Sequence, residues 1–175
     1  MLVRRGLALL ALVSLSMCNL DHLDLTTGGK TSIPHGSVIT SLLSGLAFSG
    51  FDKVDFTEEF KNQGVTKGQV NSVRLKSFKL HIDAPAGGNF DFIQSVAFFA
   101  EADGVSKIQI ASMSSVPKGM QDLALVIDSS AELEPYVVAP SMRISSQVQG
   151  SAPSTDTTVS ATVVLDVTVH IPGCN

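Results

Sequence analysis

Acid–base or metal chemistry in this chain would have to come from four histidines, His22, His35, His81 and His170. None has a second His one helical turn away and none has a Cys nearby, so no pair shows the spacing of a zinc ligand set. The best-placed pair is His81 with Asp83, two residues apart and therefore on one face of a strand. Such a pair supplies only two of the three or four ligands a bound metal requires, which makes it ordinary surface decoration. His170 follows Thr168 and Asp166 at the same spacing and reads the same way. No metal and no cofactor are expected.

Nucleophilic chemistry is equally unsupported. There is no Gly-x-Ser-x-Gly elbow, no Ser-x-x-Lys with its companion boxes and no Cys placed near a His. The paired carboxylates, Glu58-Glu59 and Glu132 with Glu134, fall where short helices are predicted to start, and acids there complement the positive end of the helix. No loop carries the ligand spacing of a calcium site or the Gly-rich, Lys-containing pattern of a phosphate cradle. The sequence therefore points away from an enzyme.

Thiol chemistry rests on Cys18 and Cys174 alone. If both are unmodified in an oxidising compartment, a Cys18–Cys174 disulfide would restrain the unfolded chain by about 3 to 5 kcal/mol. If Cys18 is modified, Cys174 is left without an intramolecular partner. The compartment is set by the start of the chain, where Arg4 and Arg5 precede an uncharged run from Gly6 to Met17. That layout is an export signal, too short to span a bilayer comfortably. Residues 1–17 are read as signal peptide, 18–37 as a polar tether rich in Gly, Thr and Ser, and 38–175 as the folded domain. Ser14 and Ser16 suit ordinary cleavage after Ser16.

Leu15-Ser16-Met17-Cys18 also resembles the lipobox of bacterial lipoproteins, with Met17 where that family usually places Gly, Ala or Ser. The resemblance implies a lipid on Cys18 and attachment to a membrane through it. Setting Arg4 and Arg5 aside leaves ten basic residues against sixteen acidic ones, with no basic cluster, which disfavours nucleic acid. Zero Trp and a single Tyr, Tyr136, disfavour carbohydrate, whose rings commonly lie on such faces.

The elements that must position any site are strands. From Val38 onward, short segments rich in Val, Ile, Phe, Thr and Ser are bounded by Gly, Pro, Asn and Asp, which predicts about eight strands. Residues 159–171 alternate with period two, the odd positions apolar. In residues 72–83, Val73 and Leu75 share one face and Phe78, Leu80 and Ile82 the other, which predicts a bulge or a change of sheet near Ser77. Asp103-Gly104 marks a hairpin, and 122–128 reads as one further strand. Short helical turns are expected after Thr57, capped by it and stopped at Gly64, and where Thr66 with Gln69 and Ser129 with Glu132 have capping-box spacing. The fold class is all-β: a two-sheet antiparallel β-sandwich, immunoglobulin-like or a similar Greek key, with short helical turns.

Residues 56–171 resemble uncharacterised exported lipoproteins of Gram-negative bacteria that carry one β-sandwich domain. The resemblance rests on Glu59-Phe60-Lys61-Asn62-Gln63-Gly64-Val65, the strand and Pro-Ala-Gly turn between Leu80 and Phe92, Val116-Pro117-Lys118-Gly119, and Asp156-Thr157-Thr158. It implies an exported protein of the periplasm or cell surface, anchored at the outer membrane, with no activity carried over. The expected role is a structural or protein-binding module with envelope-protein partners. The alternative is a soluble, disulfide-closed carrier of a small ligand or lipid in the periplasm, using Phe90, Phe92, Phe98 and Phe99. Phe98 and Phe99 are the expected binding surface, because adjacent strand residues point to opposite faces and one of the two must leave the core.

Overall fold

The computed structural model describes residues 22–36 and 46–170. Within them lie eight strands: β1 (His22–Ile33), β2 (Val70–Ala84), β3 (Ile93–Ala102), β4 (Val105–Met113), β5 (Asp122–Ala124), β6 (Val126–Ile127), β7 (Met142–Gly150) and β8 (Thr157–Val169). Helix is confined to α1 (Thr57–Asn62), α2 (Glu134–Val137) and a 3-10 turn at Lys67–Gln69. The strands form two antiparallel sheets of four, ordered β1-β8-β2-β5 and β6-β4-β3-β7. The protein is an all-β sandwich. Its last strand, β8, lies between β1 and β2, whereas the first two strands of an immunoglobulin sheet are neighbours.

The alternation in the last strand is realised residue by residue. Every odd position of β8 is buried, and Val159, Val163, Leu165 and Val167 are wholly inaccessible. The two apolar faces expected in β2 are one face. The register against β8 shifts between Leu75 and Ser77, so Lys76 is the extra residue of a bulge, and Val73, Leu75, Phe78, Leu80 and Ile82 all turn inward. The β3–β4 hairpin turns at Asp103-Gly104, where Gly104 alone takes positive φ, at 75°.

Four expectations need correction. The stretch assigned to the tether, 18–37, contributes β1, paired with β8 along its whole length from His22 to Ile33. Leu23, Leu25 and Ile33 give it a buried face, but Thr27, Gly29 and Thr31 between them keep its apolar signal weak. The segment 122–128 is two strands in different sheets, because Leu125 donates its N–H to Phe78 O while Asp128 donates to Ile110 O. Thr57 is not the cap of α1. It is already helical, and its N–H and hydroxyl both donate to Asp55, at 3.0 and 2.6 Å. Finally, Ser129 and Glu132 form no capping box. The helical turn begins later, after Leu133, with Pro135 inside its first turn where a missing N–H costs nothing. Glu132 instead reaches β2 and accepts from Val73 N–H at 2.8 Å and from the Ser72 hydroxyl at 3.1 Å.

Both open sides of the sandwich are laced shut. On one side the chain from β5 to β6 passes from sheet to sheet within a single residue, Leu125. On the other, residues 46–54 form a strap between the two edge strands. Ser49 exchanges backbone hydrogen bonds with Lys30 of β1, Ile144 of β7 donates to Phe51 O, and Val54 exchanges with Met142 of β7. The strap lies so close to β1 that a Cβ on Gly29 would sit 2.7 Å from Ser49 O, which restricts that position to glycine.

The strap also completes the core. Phe78 of β2 and Phe98 of β3 stack across the sheets with centroids 4.2 Å apart, while Phe48 and Phe51 of the strap lie against them at 5.8 and 6.1 Å. Each such pair adds about 0.5–1.5 kcal/mol beyond the area it buries. Eight of the nine phenylalanines are buried; the ninth is Phe99. We therefore expect Phe98→Ala to cost about 3–5 kcal/mol and Phe99→Ala about 1 kcal/mol or less. Urea unfolding of both variants checks this: similar losses would mean that the two rings share one environment.

Candidate functional site

The sequence-predicted histidines do not come together. His81 pairs with Asp122 of β5 at 2.7 Å rather than with Asp83, which binds Lys30 at 3.0 Å and accepts from the Ser160 hydroxyl at 3.1 Å. His22 pairs with Asp166 at 3.2 Å, and His35 with Asp156 at 2.7 Å. His170 is exposed and donates its backbone N–H to Gln69 O. Among the described residues no group of three or more His, Cys, Asp or Glu is arranged to hold a metal. Cys18, Cys174 and the signal segment 1–17 lie outside the described residues.

The proposed binding pair, Phe98 and Phe99, is split as strand geometry requires. Phe98 is fully inaccessible, whereas Phe99 is half-buried on the outer face of the second sheet. There the Lys107 ammonium sits 4.7 Å from its ring centroid, a cation–π contact. The space a carrier would need between the sheets is occupied by Phe90, Phe98 and Phe92, all buried.

Around Phe99 the outer face of the second sheet is built in rows across β4, β3 and β7. The pairings place Ser112, Ala97 and Gln147 side by side, and below them Gln109, Phe99 and Ser145. Ser95 pairs with Gln149 beyond Ala97, and Glu101 pairs with Arg143 beyond Phe99. This ordering depends on a bulge in β4. Its register shifts between the partners of Phe98 and Phe99, so Ile110 and Ala111 are both buried and the outward parity changes from Gln109 to Ser112.

Residue size then shapes the face. The middle strand offers Ser95 and Ala97, while Gln147 and Gln149 stand on one side and Gln109 and Met113 on the other. The result is an open trough of ≈ 510 Å³ along β3. Its amides are scarcely engaged: Ser95 Oγ reaches Gln149 Oε1 at 3.4 Å, and Gln109 Nε2 reaches Ser112 Oγ at 3.4 Å. Both are long for such bonds. The trough carries no charged side chain until the row of Glu101, where Lys107 binds the carboxylate at 3.0 Å and the Ser145 hydroxyl donates to it. The Ser145 hydroxyl first, and Lys107 second, hold Glu101 below its ordinary range. Arg143, exposed beside it, makes no hydrogen bond or ion pair among the described residues.

The outer face of the first sheet contrasts with this one. Lys76 binds Asp24 at 2.7 Å, Arg74 binds Glu132 at 2.9 Å, and the Lys30–Asp83, His22–Asp166 and His81–Asp122 pairs fill the rest. Its charges are spent on one another. Sequence reasoning found Phe99 but missed the glutamines, because alternating Ser and Gln in residues 145–149 is what any solvated strand face shows. The usable signal was their lack of charge beside so many ion-paired strands.

No protein-family model matches the chain, and no curated protein matches it. A solved structure from Desmodium yellow mottle tymovirus is similar at 10% identity with a TM-score of 0.22, over 100% of this chain and 98% of that one. At that level the likeness carries no argument.

The Glu101 link makes a pH-dependent contribution. Because its folded pKa is depressed from 4.5, the contribution is fully present above that value and is lost as pH falls through the lower, folded value. Glu101→Gln should therefore cost about 1 kcal/mol at neutral pH and almost nothing near pH 2.5, given that the pair is part-exposed. Urea midpoints at the two pH values measure it; an equal loss at both would show that packing, not charge, carries the effect.

Proposed function

We propose that this protein is an exported, lipid-anchored envelope module that docks other proteins through the outer face of its second sheet. The observation that carries the reading is the asymmetry between the two outer faces. One is neutralised by its own ion pairs, and the other is an uncharged carpet of amides and hydroxyls around a half-buried Phe. Desolvating paired charges is expensive, whereas neutral groups that both donate and accept are cheap to bury against a matching surface. The anchor in this reading is a lipid on Cys18, which the lipobox-like Leu15-Ser16-Met17-Cys18 supports, and the location is the periplasm or cell surface at the outer membrane. A hydrolase or transferase role has no constellation of side chains to rest on among the described residues.

Two measurements test the two halves of the proposal. Intact mass of the chain recovered from a Gram-negative host should show a start at Cys18 with added acyl mass, abolished by Cys18→Ala; a chain starting at Met17 and closed by a Cys18–Cys174 disulfide would sink the anchor. A photo-cross-linking residue at position 147 should give a discrete protein adduct in that host, lost on Ala97→Arg, while the same label at position 162 on the opposite face gives none. Adducts of equal yield from both faces would remove the docking assignment.

A further inference from the structure

We propose that the trough over Ala97 receives a single extended peptide segment, uncharged along its length and carrying one Asp or Glu that binds Arg143. The inference rests on the docking reading above and adds the chemistry of the partner. Size decides first between a globular surface and a strand-like segment. From Ser95 to Glu101 the face is six residues long, and it is three strands wide across β4, β3 and β7. At about 3.4 Å per residue and about 4.8 Å per strand that is roughly 20 by 14 Å. A stable globular interface covers about 800 Å² on each side, well beyond this patch, whereas one extended segment of about six residues matches its length.

The walls then set the polarity of the segment. Gln109, Gln147 and Gln149 each present one acceptor and two donors above a floor of Ala97 and Ser95. A peptide backbone, which alternates donors and acceptors, can be met by such amides without any charge entering the trough. A charged side chain there would be desolvated with no partner. At the Glu101 end the balance changes. Glu101 is committed to Lys107 and Ser145, so Arg143 remains an uncompensated cation on a chain whose net charge is −4. A carboxylate is the group that completes it, in the two-pronged geometry a guanidinium favours. Beyond this row lies only the exposed Asp103-Gly104 turn, so the bound chain has room to continue, and the carboxylate belongs to a side chain rather than to a chain end.

The test is selection of phage-displayed random octapeptides on the full-length protein, followed by fluorescence anisotropy of the synthetic winners. The expected winners are rich in Ser, Thr, Asn, Gln and Gly with one Asp or Glu, and amidating their C-terminus leaves binding unchanged. Arg143→Ala should weaken them about tenfold, replacing the peptide acid by its amide should weaken them equally, and the two losses should not add. Gln147→Ala with Gln149→Ala should weaken binding without loss of fold, and Thr162→Arg should change nothing. Winners that are basic, or whose affinity ignores Arg143→Ala while Ala97→Arg still blocks them, would overturn the partner chemistry and leave the docking face standing. If Ala97→Arg affects neither these peptides nor the adduct from position 147, the face itself is wrong and the inference falls with it. Retention of neutral oligosaccharides on the same face, with no peptide selected, also overturns it.

Discussion

The stacking of Phe78 on Phe98 is the contact from which the rest of the architecture follows. It joins the two sheets directly, with ring centroids 4.2 Å apart, and it fixes which way each parent strand must face. For Phe78 to reach that position after Val73 and Leu75 have already turned inward, β2 must carry an extra residue, and the bulge at Lys76 supplies it. For Phe98 to do so, its neighbour Phe99 must leave the core. The core contact therefore dictates an exposed aromatic edge on the second sheet and a lysine on the outer face of the first. Lys76 is used at once, bound to Asp24 of β1.

A sandwich of two four-stranded sheets has four edges, each with unpaired backbone groups that invite association. Here two of the edge strands are very short, β5 with three residues and β6 with two, and they are consecutive in the chain, so one passage of polypeptide guards both. The opposite edges are long, twelve residues in β1 and nine in β7, and the strap from Leu46 to Val54 spans the gap between them. Its two phenylalanines enter the same cluster that holds the sheets together. Edge protection and core formation are thus a single event, and a strap that detached would expose both strand edges and the aromatic core.

Much of this was legible in the sequence where one periodicity dominates. The period-two pattern of residues 159–169 needs no context to be read, and the Asp103-Gly104 turn announces its hairpin through the one residue that takes positive φ. What could not be read was set by partners remote in sequence. The bulge in β2 is apparent only once all five apolar residues are seen to need the same core. β1 escapes notice because its small residues, Gly29 among them, answer to a strap some twenty residues away. Glu132 looks like a helix-start acid locally, yet its ligands are Val73 and Ser72 on another strand, whose N–H and O–H hold its charge against the cost of burial. The candidate face was half legible: adjacent phenylalanines force one outward, but the register that assembles Gln109, Ala97 and Gln147 into a row depends on the bulge at Ile110.

That second bulge links fold to function. Without it β4 would keep its odd residues outward throughout, placing Ala111 and Met113 on the open face and Ser112 in the core. Shifting the parity at Ile110 buries Ala111 beneath the sheet and turns Ser112 outward beside Ala97. The same shift lets Lys107 lie over Phe99 from the unshifted part of the strand, so the ring is shielded rather than left as a bare apolar patch. An exposed Phe on an open sheet would favour indiscriminate association. Covered by a cation that is itself tied to Glu101, it offers its remaining edge only to a partner that also satisfies the neighbouring amides. The discrimination that a docking surface needs is therefore built from the same register choice that closes the core.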